Sequence, residues 1–207
     1  MNLPTISQCS ELFDQYNVPG TVRIHCETVH KVAVALAEQL LAKSYPLDLN
    51  IIKPFSLLHD FMKAVVLERL DQPPYNYTPT AEEIKRHHQL RQQYAGKSET
   101  YVAYLILKEK YPEFAQLFLE LEDLTRNPLA KVHEETKFIH YVDWRVLGNR
   151  VVPLNERMKY IYQRYGKWIR RNKIDWPASR KEQQDYERKI FKLLPYKAEE
   201  LGQKIQL

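Results

Sequence analysis

Glycine is scarce in this chain, which has only 5 in 207 residues. Sheet proteins with many tight turns, and glycine-rich phosphate loops, both need backbone conformations that glycine adopts most easily. The scarcity therefore argues against both and favours helices. Hydrophobic residues make up 44% and charged residues 28% of the chain, which is typical of a globular protein rather than a disordered one. The length fits one domain better than two.

Apolar residues recur at helical spacing along most of the chain, as in the stripe formed by Val29, Val32 and Leu36. Thr80 followed by Glu83 has the pattern of a capping box at a helix start. We expect an all-α, single-domain bundle with no strand and no internal repeat. The predicted helices span about residues 10–16, 21–42, 50–70, 80–94, 98–110, 112–124, 129–147, 153–170 and 180–194, with loops at 71–79 and around Trp176 and Pro177.

The cysteines and the apolar segments bear on location. Cys9 and Cys26 cannot form a disulfide framework, and nothing pairs with them at zinc-finger spacing. The N-terminus lacks the pattern of a signal peptide, and no apolar run has the length of a membrane span. We therefore expect a cytoplasmic protein without a membrane partner.

The net charge of +5 is concentrated at the C-terminus, where residues 167–207 carry eleven Lys and Arg against six Asp and Glu. Such a region faces nucleic acid, an acidic partner or simply water. The solvated surface is the commonest of these, so nucleic acid is the less favoured partner.

Four titratable side chains lie on the predicted inward faces of three helices, where apolar residues are expected: His25, His59, Asp60 and Asp143. Buried carboxylates are costly without a positive partner, and a divalent cation meets that need. Two imidazoles and two carboxylates suit a first-row metal such as Mn, Fe, Co, Ni or Zn. Taken singly, each residue has an ordinary explanation, such as a core histidine, a helix-internal His59–Asp60 pair, or a salt bridge from Asp143 to Arg145 or Arg23.

The order of an isolated His, a His-Asp pair in LLHDFMK and a distant Asp in YVDWRV resembles the HD-domain metal-dependent phosphohydrolase superfamily. The resemblance covers about residues 18–164 and implies an HD-domain helical core there, with residues 165–207 as a basic helical extension packed on or flanking it. Many relatives read HDIGK, whereas this chain keeps Lys63 but has no glycine at that point. Dinuclear relatives have two further histidines, near the positions of Glu99 and Glu122, so the resemblance implies a mononuclear site.

The resemblance also implies an activity. One divalent ion (Mn, Fe, Co, Ni, Zn or Mg), bound by the four residues, would activate a water for hydrolysis of a nucleotide or another small phosphate ester. Asp60 is a candidate to orient that water, and Lys63 to neutralise the phosphate. Arg23 and Arg145, each two residues from a ligand, are weaker candidates for substrate binding.

A second hypothesis is a non-catalytic scaffold of the same fold that binds nucleic acid or protein through its basic C-terminal region. His87 and His88 lie on a charged predicted helix, and we expect both at the surface. The sequence leaves the substrate, the native metal and the oligomeric state open, a homo-oligomer included.

Overall fold

The computed structural model of the chain describes residues 1–71 and 77–205. Within these residues 66% lie in helices, and the one sheet has two short strands, so the prediction of an all-α, single-domain fold is confirmed. The α-helices are α1 Ile6–Gln15, α2 Gly20–Leu41, α3 Leu49–Leu58, α4 Ala81–Gln93, α5 Glu99–Leu107, α6 Pro112–Arg126, α7 Glu134–Asp143, α8 Leu154–Arg171, α9 Trp176–Phe191 and α10 Leu201–Lys204. Short 3-10 helices cover Lys63–Val65 and Ala198–Glu200.

Helix α2 lies at the centre of the packing, where it contacts α3 and α7, and α7 also contacts α3 and α6. The predicted stripe of Val29, Val32 and Leu36 is fully buried in this core. The rings of Phe55 and Phe118 meet edge to face, at 5.2 Å between centroids. The interior is thus built where the helices that carry the candidate ligands meet.

Side-chain caps define several helix starts. Thr80 and Glu83 form the predicted capping box of α4, and Thr5 forms the same motif with Gln8 at α1. Helix α1 therefore begins at Ile6, before the predicted start at residue 10. Helix α9 begins at Trp176 rather than near residue 180, because the Asp175 side chain accepts from the Ala178 N–H and proline is tolerated in a first turn. The predicted loop at Trp176 is wrong for that reason.

Two predicted helices are shorter in the structure. The helix expected over 50–70 ends at Leu58, and the next residues form turns before the 3-10 helix. The helix expected over 129–147 covers only Glu134–Asp143. Its predicted start fails because the Asn127 side chain accepts from the Leu129 N–H in a turn, which leaves Leu129 74% exposed.

A β-hairpin follows α7, contrary to the expectation of no strand. Strand β1, Val146–Leu147, pairs antiparallel with β2, Arg150–Val151. Gly148 in the two-residue turn has a φ of 65°, which glycine adopts without steric cost. The apolar pair Val146 and Leu147 continued the helical pattern in the sequence, so periodicity did not reveal the strand.

The predicted boundary between residues 164 and 165 falls inside α8, which runs unbroken across it. No helix in residues 1–71 and 77–205 is both long and apolar enough to cross a membrane. Residues 72–76 of the loop predicted at 71–79, and the last two residues of the predicted extension, lie outside the described residues.

Candidate metal centre

Three of the predicted ligands meet at one point in the core. His25 lies in the second turn of α2, His59 follows the last residue of α3, and Asp143 is the last residue of α7. One donor atom of each lies within 4.8 Å of the others. His25 and His59 are 4% and 3% exposed. The packing of α2 against α3 and α7 thus brings together residues that are 118 positions apart in sequence.

The imidazole of His59 is held in the state that a metal ligand needs. Its Nδ1 donates to the main-chain oxygen of Ser56 at 2.7 Å, so the lone pair is on Nε2. That Nε2 is buried and has no hydrogen-bond partner among the described residues. Burial lowers the pKa of His59 despite the nearby carboxylates, which keeps the ring neutral. Histidine ligands of metals show this same arrangement, with the second nitrogen bonded to a carbonyl.

His25 faces both carboxylates of the predicted set. Its Nε2 lies 3.0 Å from Asp143 Oδ1 and 4.0 Å from Asp60 Oδ2. Its ring centroid is 5.4 Å from that of His59. No orienting bond is seen on the other side, where Nδ1 is buried without a partner among the described residues. Asp60 therefore borders the three-residue group through His25.

The carboxylates of Asp60 and Asp143 are kept ionised by neighbouring cations. Burial by itself would raise both pKa values. The Lys63 ammonium, 3.5 Å from Asp60, holds the pKa of Asp60 below its usual value. The Arg157 guanidinium, 3.2 Å from Asp143, and the bond to His25 hold the pKa of Asp143 well below its usual value. Two ionised carboxylates beside two imidazoles are a donor set that could hold a metal ion.

Lys63 lies at the edge of the centre and joins it to α5. Its Nζ is 2.6 Å from Glu99 Oε1 as well as 3.5 Å from Asp60 Oδ1. Glu99 therefore already has a cationic partner. Glu122, the other position compared with dinuclear relatives, accepts from the hydroxyl groups of Ser98 and Thr100. Both glutamates are thus engaged by partners from the chain itself.

Arg145 is not brought to the centre, although it was a candidate for substrate binding. Its side chain is 1% exposed. The guanidinium donates to Glu187, to the Tyr141 hydroxyl and to the main-chain oxygens of Val152 and Ala198. These bonds tie α7 and the hairpin to the C-terminal segment. We correct the assignment, because a side chain held this way cannot contact a substrate.

Arg23 is also directed elsewhere. It donates to Asp14 and to the main-chain oxygens of Phe13 and Val18. These contacts join the start of α2 to the end of α1. The alternative salt bridges from Asp143 to Arg23 or Arg145 do not form, because both guanidinium groups are held by other partners.

Sequence reasoning missed Arg157, which contacts Asp143 from α8. Its Nη2 lies 3.2 Å from Asp143 Oδ1, and its Nε lies 3.4 Å from the main-chain oxygen. A signal was present, because Arg157 comes three residues after Leu154 and four before Ile161 on the inward side of α8. A search for charged residues on apolar stripes singled out the candidate ligands, and the same search would have found Arg157 on this helix.

The two adjacent histidines of α4 differ in environment. His87 is 4% exposed, and its Nε2 bonds to the main-chain oxygen of Leu67, so its predicted surface position is wrong. His88 is exposed, as predicted. His87 links α4 to the segment that follows the 3-10 helix, which is a structural role.

Comparison of the chain with protein-family models, with curated proteins and with solved structures found no match. The evidence for a metal centre is therefore the geometry itself, a group of two buried histidines, His25 and His59, and the partly buried Asp143 that could hold an ion.

Proposed function

We propose that this chain is a phosphohydrolase of the HD-domain type, which binds one divalent metal ion and hydrolyses a nucleotide or another small phosphate ester. The observation that carries the proposal is the buried Nε2 of His59, which has no hydrogen-bond partner in residues 1–71 and 77–205. A buried polar atom without a partner is costly, and here the bond from Nδ1 to Ser56 leaves the Nε2 lone pair available on a residue whose donor atom lies within 4.8 Å of donor atoms of His25 and Asp143. A divalent ion would satisfy that lone pair and neutralise the carboxylates.

We assign roles to the residues of the chain from their positions. His25, His59 and Asp143 hold the ion, and Asp60 completes the set from beside His25. Such an ion supplies Lewis acidity toward a phosphoryl oxygen and a lowered pKa for water. Asp60 also accepts a hydrogen bond from the attacking water and so orients it. Lys63 places a positive charge next to Asp60, where it attracts the phosphate.

The first experiment is elemental analysis of the purified protein together with hydrolysis assays. Nucleotides and generic phosphate esters are offered with Mn, Co, Ni, Zn or Mg. The variants are His59→Gln and Asp60→Ala, and the matched controls are His88→Gln and Asp123→Asn, whose side chains are exposed. We expect about one ion per chain in wild type, loss of the ion in His59→Gln, and at least a hundredfold loss of activity in Asp60→Ala, while both controls behave as wild type.

The scaffold hypothesis predicts different results for the same purified proteins. A protein that retains its ion, hydrolyses nothing and binds nucleic acid with strong salt dependence would favour the scaffold. Charge reversal at Lys167, Arg171 and Lys173, which are exposed, would then weaken that binding, whereas Asp60→Ala would not. Wild type that held no ion and hydrolysed nothing would contradict the metal centre.

A further inference from the structure

Two cations from outside the ligand set flank the carboxylates of the candidate metal centre. Lys63, in the 3-10 helix, contacts Asp60, and Arg157, on α8, contacts Asp143. Their side chains are 25% and 13% exposed, so both are partly withdrawn from water. Burial raises the pKa of Tyr160 on α8, and the positive charges of Arg157 and Lys63 both oppose this rise. Asp60 and Asp143, which these cations contact, lie 4.0 and 3.0 Å from the same atom, His25 Nε2, so the two cations border the same region.

The charges of the centre favour an anion once a divalent ion is present. The carboxylates of Asp60, Asp143 and Glu99 carry three negative charges, and Lys63 and Arg157 carry two positive charges. The net charge of these five side chains is thus −1, and a bound divalent ion would change the net charge of the centre to +1. A positively charged, partly buried centre attracts phosphate.

Arg157 is suited to bind a phosphoryl group in addition to its contact with the Asp143 carboxylate. One edge of its guanidinium, formed by Nε and Nη2, faces Asp143 with contacts of 3.4 and 3.2 Å. These contacts are long for charge-assisted bonds, which are usually about 2.7–2.9 Å. Arginine is the side chain best matched to phosphate oxygens, because its donors lie in one plane and its charge is permanent.

We propose that Arg157 is a substrate-binding residue, which together with Lys63 and the metal ion holds a terminal phosphoryl group. A terminal phosphoryl group has three non-bridging oxygens, one for each of these three positive groups. A phosphodiester has only two, so one of the three is left without a partner. The centre therefore selects phosphate monoesters, and terminal phosphates of longer chains, over diesters. This inference rests on the proposed function, since it specifies the ester on which the centre acts.

The test uses the metal-loaded full chain and four proteins: wild type, Arg157→Gln, Arg157→Lys and the control Arg171→Gln. Arg171 is exposed near the far end of the same helix, about 21 Å from Arg157 along the axis at 1.5 Å per residue. The measurements are metal content, binding of inorganic phosphate by calorimetry, and kcat and KM for p-nitrophenyl phosphate and bis(p-nitrophenyl) phosphate.

We expect wild type to cleave the monoester at least tenfold more efficiently than the diester. Arg157→Gln should weaken phosphate binding and raise KM by about tenfold to a hundredfold, as for loss of a charge-assisted bond, with metal content unchanged. Arg157→Lys, which keeps the charge beside Asp143, should lie between, because lysine lacks the planar donors. Arg171→Gln should match wild type.

Three results would overturn the inference. Loss of the ion in both Arg157 variants would make Arg157 a positioning partner of Asp143 only. Unchanged phosphate binding in a folded, metal-loaded Arg157→Gln would exclude the contact, and equal cleavage of both esters by wild type would exclude the selectivity. If wild type cleaves no ester but binds phosphate in an Arg157-dependent way, the proposed hydrolase fails while the phosphate contact stands.

Discussion

At the scale of single residues, burial decides the charge state of several histidines. His140 is 9% exposed and accepts a hydrogen bond at Nδ1 from the Gln183 amide. Burial lowers its pKa from 6.5 to about 4. The unfolded chain therefore takes up this proton at a higher pH than the folded chain. The stability that a neutral His140 contributes is complete above pH 6.5 and is lost as the pH falls toward 4.

This difference predicts a pH-dependent free energy of unfolding. Between pH 7.5 and pH 5, His140 should account for a loss of about 2 kcal/mol in wild type. His140→Asn keeps an acceptor near the position of Nδ1 and cannot titrate, so its loss over this range should be smaller by about that amount. Urea unfolding at both pH values measures the difference, with the exposed His88 changed to Asn as the control. Equal losses in His140→Asn and wild type would contradict the prediction.

At the scale of elements, one carboxylate joins the start of α4 to the start of α2. Glu83 is 7% exposed and accepts from the main-chain N–H groups of Thr80 and Gly20 and from the Tyr77 hydroxyl. Helix α2 carries His25 in its second turn. The capping residue Glu83 of α4 therefore also binds the first residue of α2, the helix that carries the candidate ligand His25.

Two substitutions at this cap should differ in cost. Thr80→Ala removes a single capping bond and should lower the free energy of unfolding by about 1 kcal/mol. Glu83→Ala leaves the Gly20 and Thr80 N–H groups without their acceptor, and should cost about 3 kcal/mol. Chemical denaturation measures both, with the exposed Glu82→Ala, one residue away, as the control. A Glu83→Ala protein no less stable than Thr80→Ala would show that the link to α2 contributes nothing.

At the scale of the whole molecule, Arg145 joins the C-terminal segment to the core. Its guanidinium bonds to Glu187 of α9 at 2.7 Å and to the main-chain oxygen of Ala198 at 2.8 Å. Arg145→Met leaves the Glu187 carboxylate, 19% exposed, without its cation. We expect a loss of about 3–5 kcal/mol, measured by urea unfolding. Arg145→Met combined with Glu187→Gln should recover part of it, and a double variant less stable than the single one would contradict this account.

If the proposed centre binds an ion, metal loading should stabilise the whole fold, because the candidate ligands lie on α2, on α7 and directly after α3, which pack together in the core. An ion present at one hundred times its Kd adds about 2.7 kcal/mol. For a chain of this length the corresponding rise in Tm is about 5–10 °C. Thermal unfolding after treatment with a chelator, and again after Mn, Co, Ni or Zn is restored, measures the shift. His59→Gln should show no shift and His88→Gln the full one, so an equal response of the two variants would count against the centre.

Most helices could be predicted from the sequence because their signals are local. Apolar spacing identified α2, and Thr80 with Glu83 marked the start of α4, where the structure has the same capping box. His25, His59 and Asp143 were also singled out, because they are titratable residues on predicted apolar stripes. In the fold, one donor atom of each lies within 4.8 Å of the others. These features depend on residues a few positions apart, so one helix at a time contains enough information to find them.

The sequence revealed neither the end of α3 nor which cation reaches which carboxylate. Helix α3 ends at Leu58, which places His59 and Asp60 in a turn rather than on a helix. Arg157 forms an ion pair with Asp143, whereas Arg145, which is nearer to Asp143 in sequence, forms an ion pair with Glu187. An arginine can reach several partners, and the choice among them follows from which helices pack together. That packing is set by contacts between distant segments, which no short stretch of sequence contains.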